Sequence, residues 1–261
     1  MDHLTDQVAV VTGASKGMGR HFVTALTAQG ARVACLSRAS AALDSLNQSH
    51  GDKVLTLACD VSAPDEVSAA IETAARHFGR IDILVNNAGF YHPFPFADGD
   101  DALIRRHIDV NLLGVIWTTR AALGHLRASR GQIVAISSES VTLPFPMLAL
   151  YAATKAAVET LYEGLRAELR SEGVRVSVLR SGSVAGGSGG EAWSAETRAA
   201  FFAKIVQTGH AAMTGAAATP QSMADALIAV LRLPRDVSAD LISVRAACPG
   251  APAGVSTVRA S

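Results

Sequence analysis

The sequence has little cysteine, no surplus of charge of either sign and no long apolar run. Its three cysteines, Cys35, Cys59 and Cys248, are an odd number without C-x-x-C spacing. That argues against a disulfide framework and against a cysteine-based zinc site. Cys35 and Cys59 fall in the strand-like runs RVACLS and VLTLACD, where buried, inert thiols are expected. The 8 histidines show no H-x-x-x-H or similar spacing, so no metal is expected. Lys+Arg number 23 and Asp+Glu 23, so neither a nucleic acid nor an anionic membrane is an expected partner. No apolar run approaches the roughly 18 residues that span a bilayer. The opening MDHLTDQVAVV is acidic where a secretory leader is basic, and no apolar core follows it. A soluble, cytoplasmic protein is expected.

What is present is a core. Hydrophobic residues make up 49% of the 261 and charged residues 18%. β-branched runs at 7–12, 31–37, 53–61, 82–89, 131–138, 174–182 and 240–246 read as strands. Helical patterns separate them at 19–30, 40–49, 64–79, 99–129 (with a break near Gly114), from about Tyr151 to 172, and 223–233. The strands are continuous apolar runs rather than alternating ones, the pattern of a parallel sheet covered on both faces. The expected fold is α/β: a doubly wound, Rossmann-type seven-stranded parallel sheet with helices on both faces. Residues 1–248 are expected to form one domain, and the tail 249–261 to be loosely ordered.

Directly after the first strand comes TGASKGMGR, with Gly13, Gly17 and Gly19 spaced G-x-x-x-G-x-G before a helix. Such a turn allows close backbone approach and aims a helix N-terminus at a pyrophosphate. One further absence bears on the ligand. No acid closes the second strand, where an NAD site holds the ribose 2′-hydroxyl. Ser37 and Arg38 stand there instead, and Lys16 adds a second cation from the glycine turn. Two cations and no acid favour the 2′-phosphate of NADP(H), with NAD the less favoured cofactor.

Tyr151 and Lys155, in YAATK, stand four apart and share one helix face. Taken singly, each reads as well as a rim aromatic and a solvated charge. In order along the chain, TGASKGMG, CDV (59–61), NNAG (86–89), Asn111 in DVNLLG, Ser138 thirteen residues before Tyr151, and Y-x-x-x-K resemble the short-chain dehydrogenase/reductase family. The resemblance runs from Val8 to about Arg245. It implies an NADP(H)-dependent oxidoreductase that moves a hydride between nicotinamide and a carbonyl or secondary alcohol. It implies Tyr151 as acid/base, Lys155 lowering its pKa and binding ribose, Ser138 polarising the substrate oxygen, and Asn111 supporting a proton-relay water. Cofactor contacts are expected from Gly13, Ser15, Lys16, Gly17, Met18 and Gly19 in the turn, and from Ser37 and Arg38 after the second strand. Further contacts are expected from Asp60 and Val61, from Asn87, Ala88 and Gly89, from Tyr151 and Lys155, and from Gly182 and Val184. A cofactor-binding regulatory or scaffold protein, or an epimerase or dehydratase, are the alternatives on the same fold.

The chain departs from the family after the sixth strand, where Ser181 replaces a common Pro and Gly186 a common Thr. More flexibility is expected there. Val141 stands where Gly is frequent and is expected to narrow the pocket wall. Substrate contacts are expected from FYHPFPF (90–96), from TLPFPMLAL (142–150), and from a Gly-hinged lid at about 186–215 bearing Trp193, Phe201 and Phe202. Those aromatics imply an apolar or bulky small-molecule substrate. The family resemblance implies a homodimer or homotetramer with a two-fold interface.

Overall fold

The computed structural model describes residues 4–186 and 193–247. The expected loose tail at 249–261, Cys248 and residues 187–192 of the expected lid lie outside the described residues. The first half of the chain alternates β1 (Val8–Thr12), α1 (Gly17–Ala28), β2 (Arg32–Ser37), α2 (Ala41–His50), β3 (Val54–Ala58), α3 (Pro64–Phe78) and β4 (Ile83–Asn86). Then follow α4 (Asp101–Ile108), α5 (Gly114–Ser129), β5 (Gln132–Ser138), α6 (Ala149–Leu169) and β6 (Arg175–Ser181). The last elements are α7 (Ala195–Gln207), α8 (His210–Thr214), α9 (Pro220–Leu231) and β7 (Leu241–Val244).

All seven strands are parallel, in the order β3-β2-β1-β4-β5-β6-β7. β1 and β4 are buried along their whole length, as strands covered on both faces must be. Phe22 and Leu26 of α1, Leu43 and Leu46 of α2, and Met223 and Leu227 of α9 pack one face. Val67 and Ile71 of α3, Val115 and Leu126 of α5, and Val158 and Tyr162 of α6 pack the other. The connections leaving β1 and β4 run in opposite directions. The loops at their C-terminal ends therefore part and leave a crevice.

The expected break near Gly114 is absent. A five-residue π-helical turn, Asp109–Leu113, joins α4 to α5, and Gly114 keeps right-handed helical dihedrals. Its lack of a side chain serves packing instead, since a Cβ there would meet Val61 Cγ2 at 2.9 Å.

The end of β4 is held by a buried polar network. Asn86 Nδ2 donates to Thr119 Oγ1 at 2.9 Å and to the Tyr162 hydroxyl at 2.7 Å, while Thr118 Oγ1 donates to Asn86 Oδ1 at 2.5 Å. Asn86→Ala would take one partner from each of three buried hydroxyls, leaving Thr118 on the Gly114 carbonyl at 2.7 Å and Thr119 and Tyr162 on each other at 3.4 Å. It should destabilise the fold by about 2–3 kcal/mol, read from urea unfolding; a change within error of zero would show the network to be slack.

Candidate functional site

The β1–α1 turn is built by close approach. Gly13 and Gly17 have φ of 65° and 54°, and a Cβ on Gly19 would lie 2.1 Å from the Gly13 carbonyl oxygen. Only glycine fits there. α1 has no side-chain cap and no acid in its first turn, so its N-terminal N–H groups face the crevice uncompensated by carboxylate. Asn87 Nδ2 donates to the carbonyls of Thr12 and Gly13 at 2.9 and 3.2 Å. Thr12 Oγ1 accepts from the backbone N–H groups of Asn87 and Ala88, both at 3.0 Å. The two strand ends that flank the crevice are thus tied together.

The crevice is a cavity of about 1350 Å³, above the roughly 300–1,000 Å³ of an ordinary small-molecule site. Every expected cofactor contact lines it: the turn residues Gly13, Ser15, Lys16, Gly17, Met18 and Gly19, then Ser37, Arg38, Asp60 and Val61, and, nearer its other end, Asn87, Ala88, Gly89, Tyr151, Lys155, Gly182 and Val184. Ser15 Oγ and Ser37 Oγ hydrogen-bond at 2.9 Å, joining the glycine turn to the end of β2. Burial pushes the Asp60 carboxyl up, but the Ser62 hydroxyl and N–H, with Arg38 and Arg106, outweigh it and hold it below its usual range. A glycine cradle, an acid-free helix N-terminus and a cation after β2 suit an elongated dinucleotide.

Ser138, Tyr151 and Lys155 line the same cavity. Burial pushes the Tyr151 phenol up to about 12; its hydrogen bond with Ser138 opposes the rise and neighbouring Tyr91 adds to it. Burial pushes the Lys155 ammonium down to about 8. Lys155 Nζ donates to the Ile136 carbonyl at 2.8 Å and lies 5.9 Å from the centroid of the Tyr151 ring. In this geometry burial is the largest influence on the phenol. The ammonium faces a backbone carbonyl, and desolvation dominates both groups.

Asn111 does not line the cavity. It is fully buried in the π-helical turn, where its Oδ1 accepts from the Phe90 N–H at 2.7 Å. Its Nδ2 donates to the Phe90 carbonyl at 2.7 Å and to Thr154 Oγ1 at 3.2 Å. Its side chain pins the loop after β4 to α6. Val141 is also off the cavity wall, in the short turn Glu139–Val141, so it does not narrow the pocket. Cys35 and Cys59 are buried, and burial pushes both thiols up to about 12, as inert thiols require.

A profile of the short chain dehydrogenase family matches residues 7–197. The chain belongs to the short-chain dehydrogenase/reductase family. It is an oxidoreductase of that family. An uncharacterized oxidoreductase of Staphylococcus saprophyticus is 33% identical over 251 residues, 94% of this chain and 99% of the relative. The 11-beta-hydroxysteroid dehydrogenase A of Arachis hypogaea is 36% identical over 188 residues, 70% of this chain, and the match spans about half of that longer relative (54%). Among solved structures, a 3-ketoacyl-(acyl-carrier-protein) reductase from Brucella melitensis, complexed with NADH, superposes with a TM-score of 0.81 at 27% identity, covering 92% of this chain and 97% of that one. An alcohol dehydrogenase from Thermococcus sibiricus, complexed with 5-hydroxy-NADP, gives 0.77 at 28% identity, covering 92% and 97%.

Two features of this short-chain dehydrogenase/reductase were not anticipated. Tyr91 packs against Tyr151 with ring centroids 5.5 Å apart. Glu139, the residue after Ser138, is buried, and its Oε2 lies 3.5 Å from Arg245 Nε. Burial pushes the Glu139 carboxyl up; Arg245 and the Ser183 N–H pull it partly back. An acid at a strand end that faces a crevice was the available signal, but its partner lies over a hundred residues away.

The buried lysine sets a pH-dependent stability. Its folded pKa of about 8 is below the ordinary 10.5, so charged Lys155 subtracts stability below pH 8, and that penalty fades as pH rises from 8 to 10.5. Lys155→Met removes the titration. In urea unfolding, the stability of the variant relative to the native chain should be greatest near pH 7 and shrink by about pH 10; a difference that does not change with pH would contradict the burial penalty.

Proposed function

We propose that the chain is an NADP(H)-dependent oxidoreductase that interconverts a carbonyl and a secondary alcohol on an apolar or bulky substrate. The observation that carries this reading is the convergence of Ser138, Tyr151 and Lys155 on one end of a cavity whose other end is the glycine turn. When bound, NADP(H) supplies the hydride and, in its oxidised form, a positive charge. The α1 N-terminus and the turn Gly13–Gly19 hold its pyrophosphate. Lys16, Ser15, Ser37 and Arg38 receive the 2′-phosphate, and Asp60 and Val61 flank the adenine. Asn87, Ala88 and Gly89 form the floor. Lys155 and Tyr151 hold the nicotinamide ribose, and Gly182 and Val184 offer backbone to the carboxamide.

Tyr151 transfers the proton at the substrate oxygen. Its raised pKa keeps it protonated at neutral pH, which suits the acid required for reduction. Ser138 donates to the substrate oxygen and steadies the charge that develops on it. Lys155 adds positive charge near the phenolate as it forms, and Asn111 supports the route by which the proton is replaced. Leu148, Phe201 and Ile205, with Tyr91, Phe145 and Trp193 around them, form an apolar cluster beside Tyr151 that favours an apolar substrate. Assembly as a homodimer or homotetramer and a cytoplasmic setting belong to the same proposal. Among the described residues no helix is long and apolar enough to cross a membrane.

Two variants test this reading. Tyr151→Phe should lower kcat for ketone reduction by about a hundredfold or more while NADPH binding, followed by fluorescence, persists; near-native turnover would refute the proton role. Arg38→Asp should move the NADP/NAD ratio of kcat/KM toward NAD by about tenfold or more, and an unchanged ratio would remove the 2′-phosphate assignment.

A further inference from the structure

Resting on the reading above, we propose that the substrate is elongate: an alkyl chain attached to the reacting carbonyl runs along a ladder of aromatic rings and leaves the cavity over Phe202. The ladder starts at the catalytic phenol. Tyr151 and Tyr91 lie 5.5 Å apart between ring centroids, Tyr91 and Trp193 5.2 Å, Trp193 and Phe201 5.4 Å, and Phe201 and Phe202 5.7 Å. The Trp193 indole N–H donates to the Tyr91 carbonyl at 3.2 Å, which fixes the middle of the ladder.

The outer rung is the telling one. Phe201 is 8% exposed and Phe202 52%, yet both line the cavity. Phe202 is therefore both wall and surface. Beyond it, one turn along α7, Val206 is 59% exposed, and Met213 of α8 is 58% exposed. Exposed apolar side chains thus continue from the cavity wall at Phe202 along α7. The stem of Arg198, which also lines this wall, adds methylene groups to it. Continuous exposed apolar surface joined to a pocket marks a binding surface. A compact substrate would be enclosed by Tyr91, Trp193 and Phe201 and would leave Phe202 unused. Along the ladder the rings meet at interplanar angles of 45°, 88°, 78° and 59°, so no two neighbouring rungs are parallel. A flexible chain can follow such a wall.

The test is NADPH oxidation with methyl ketones from butan-2-one to dodecan-2-one. kcat/KM should rise about three- to fourfold per added methylene until the chain passes Phe202, then level off. Phe202→Ala should cut the dodecan-2-one to butan-2-one ratio of kcat/KM at least fivefold, and Phe202→Leu should restore most of it. A flat length profile, or a ratio unchanged in Phe202→Ala, overturns the proposal. So does a changed sedimentation coefficient in Phe202→Ala with the ratio intact, because Phe202 would then be covered by a second copy of the chain. A binding measurement separates this proposal from the reaction itself. With Trp117→Phe as background, Trp193 fluorescence titrated with dodecan-2-one should change saturably, and the response should weaken in Phe202→Ala. A saturable response without turnover of any ketone sinks the reaction and keeps the ladder. Turnover of all lengths alike keeps the reaction and sinks the ladder. No response overturns the ladder outright.

Discussion

Lys155 places an ammonium inside the protein, 4% exposed and 2.8 Å from the Ile136 carbonyl. Burying that charge costs free energy, and burial accordingly lowers its pKa to about 8. The surrounding structure exists in a form that offsets it. α6 must lie against the C-terminal half of β5 for the lysine to reach a strand carbonyl. β5 must be an interior strand, paired to β4 and β6, for that carbonyl to be held still. The lysine then sits four residues after Tyr151, so the phenol is carried to the cavity wall by the same stretch of helix. Stability is given up where a buried charge lines the cavity.

Around that point the molecule has a firm side and a softer one. The firm side is the sheet with its two covering layers, whose apolar clusters are extensive and mostly buried. Asn111 belongs to it. In the π-helical turn its amide grips both backbone groups of Phe90 as well as Thr154, which joins the loop after β4 to α6. The softer side is the cluster of Leu148, Phe201 and Ile205, ringed by residues that are only partly buried. Few buried apolar contacts mean a low local cost of opening. On the proposed function, the residues that would hold cofactor lie on the firm side and those that would meet substrate on the soft one. That division suits a site that binds one constant partner and one that must enter and leave.

Much of the firm side was legible in the chain. The glycine turn, the strand sequence and the Ser138–Tyr151–Lys155 spacing depend on local geometry, and local geometry leaves local patterns. The π-helical turn was not legible, because an i→i+5 bond requires no particular residue. Gly114 was misread as a break because glycine weakens helices, whereas here it admits Val61 into contact. Spacing brings Tyr151 and Lys155 onto one face but says nothing about desolvation, and desolvation decides the direction of both shifts. Phe201 and Phe202 are neighbours in sequence and fall on opposite sides of burial, as consecutive helical residues do. Which of the two faces inward depends on the packing of α7 against Leu148, and no local pattern carries that.

The segment after β6 shows how a departure from a family pattern can be compensated from a distance. Ser181 and Gly186 remove the stiffness that Pro and the side-chain reach that Thr would supply. Yet the Ser183 carbonyl accepts from the Ala218 N–H, and the Ala185 N–H donates to the Ala218 carbonyl, both at 2.8 Å, forming a parallel bridge at Val184. Gly182 donates its N–H to the Val244 carbonyl at 2.8 Å, and a Cβ there would press on Arg245 Cγ at 3.0 Å. Arg245, allowed in by that glycine, reaches Glu139 beside Ser138. The segment is thus held by backbone from Ala218 and β7 rather than by its own residues. From Ser181 to Ala185 this backbone pairing supplies the restraint that Pro would have given.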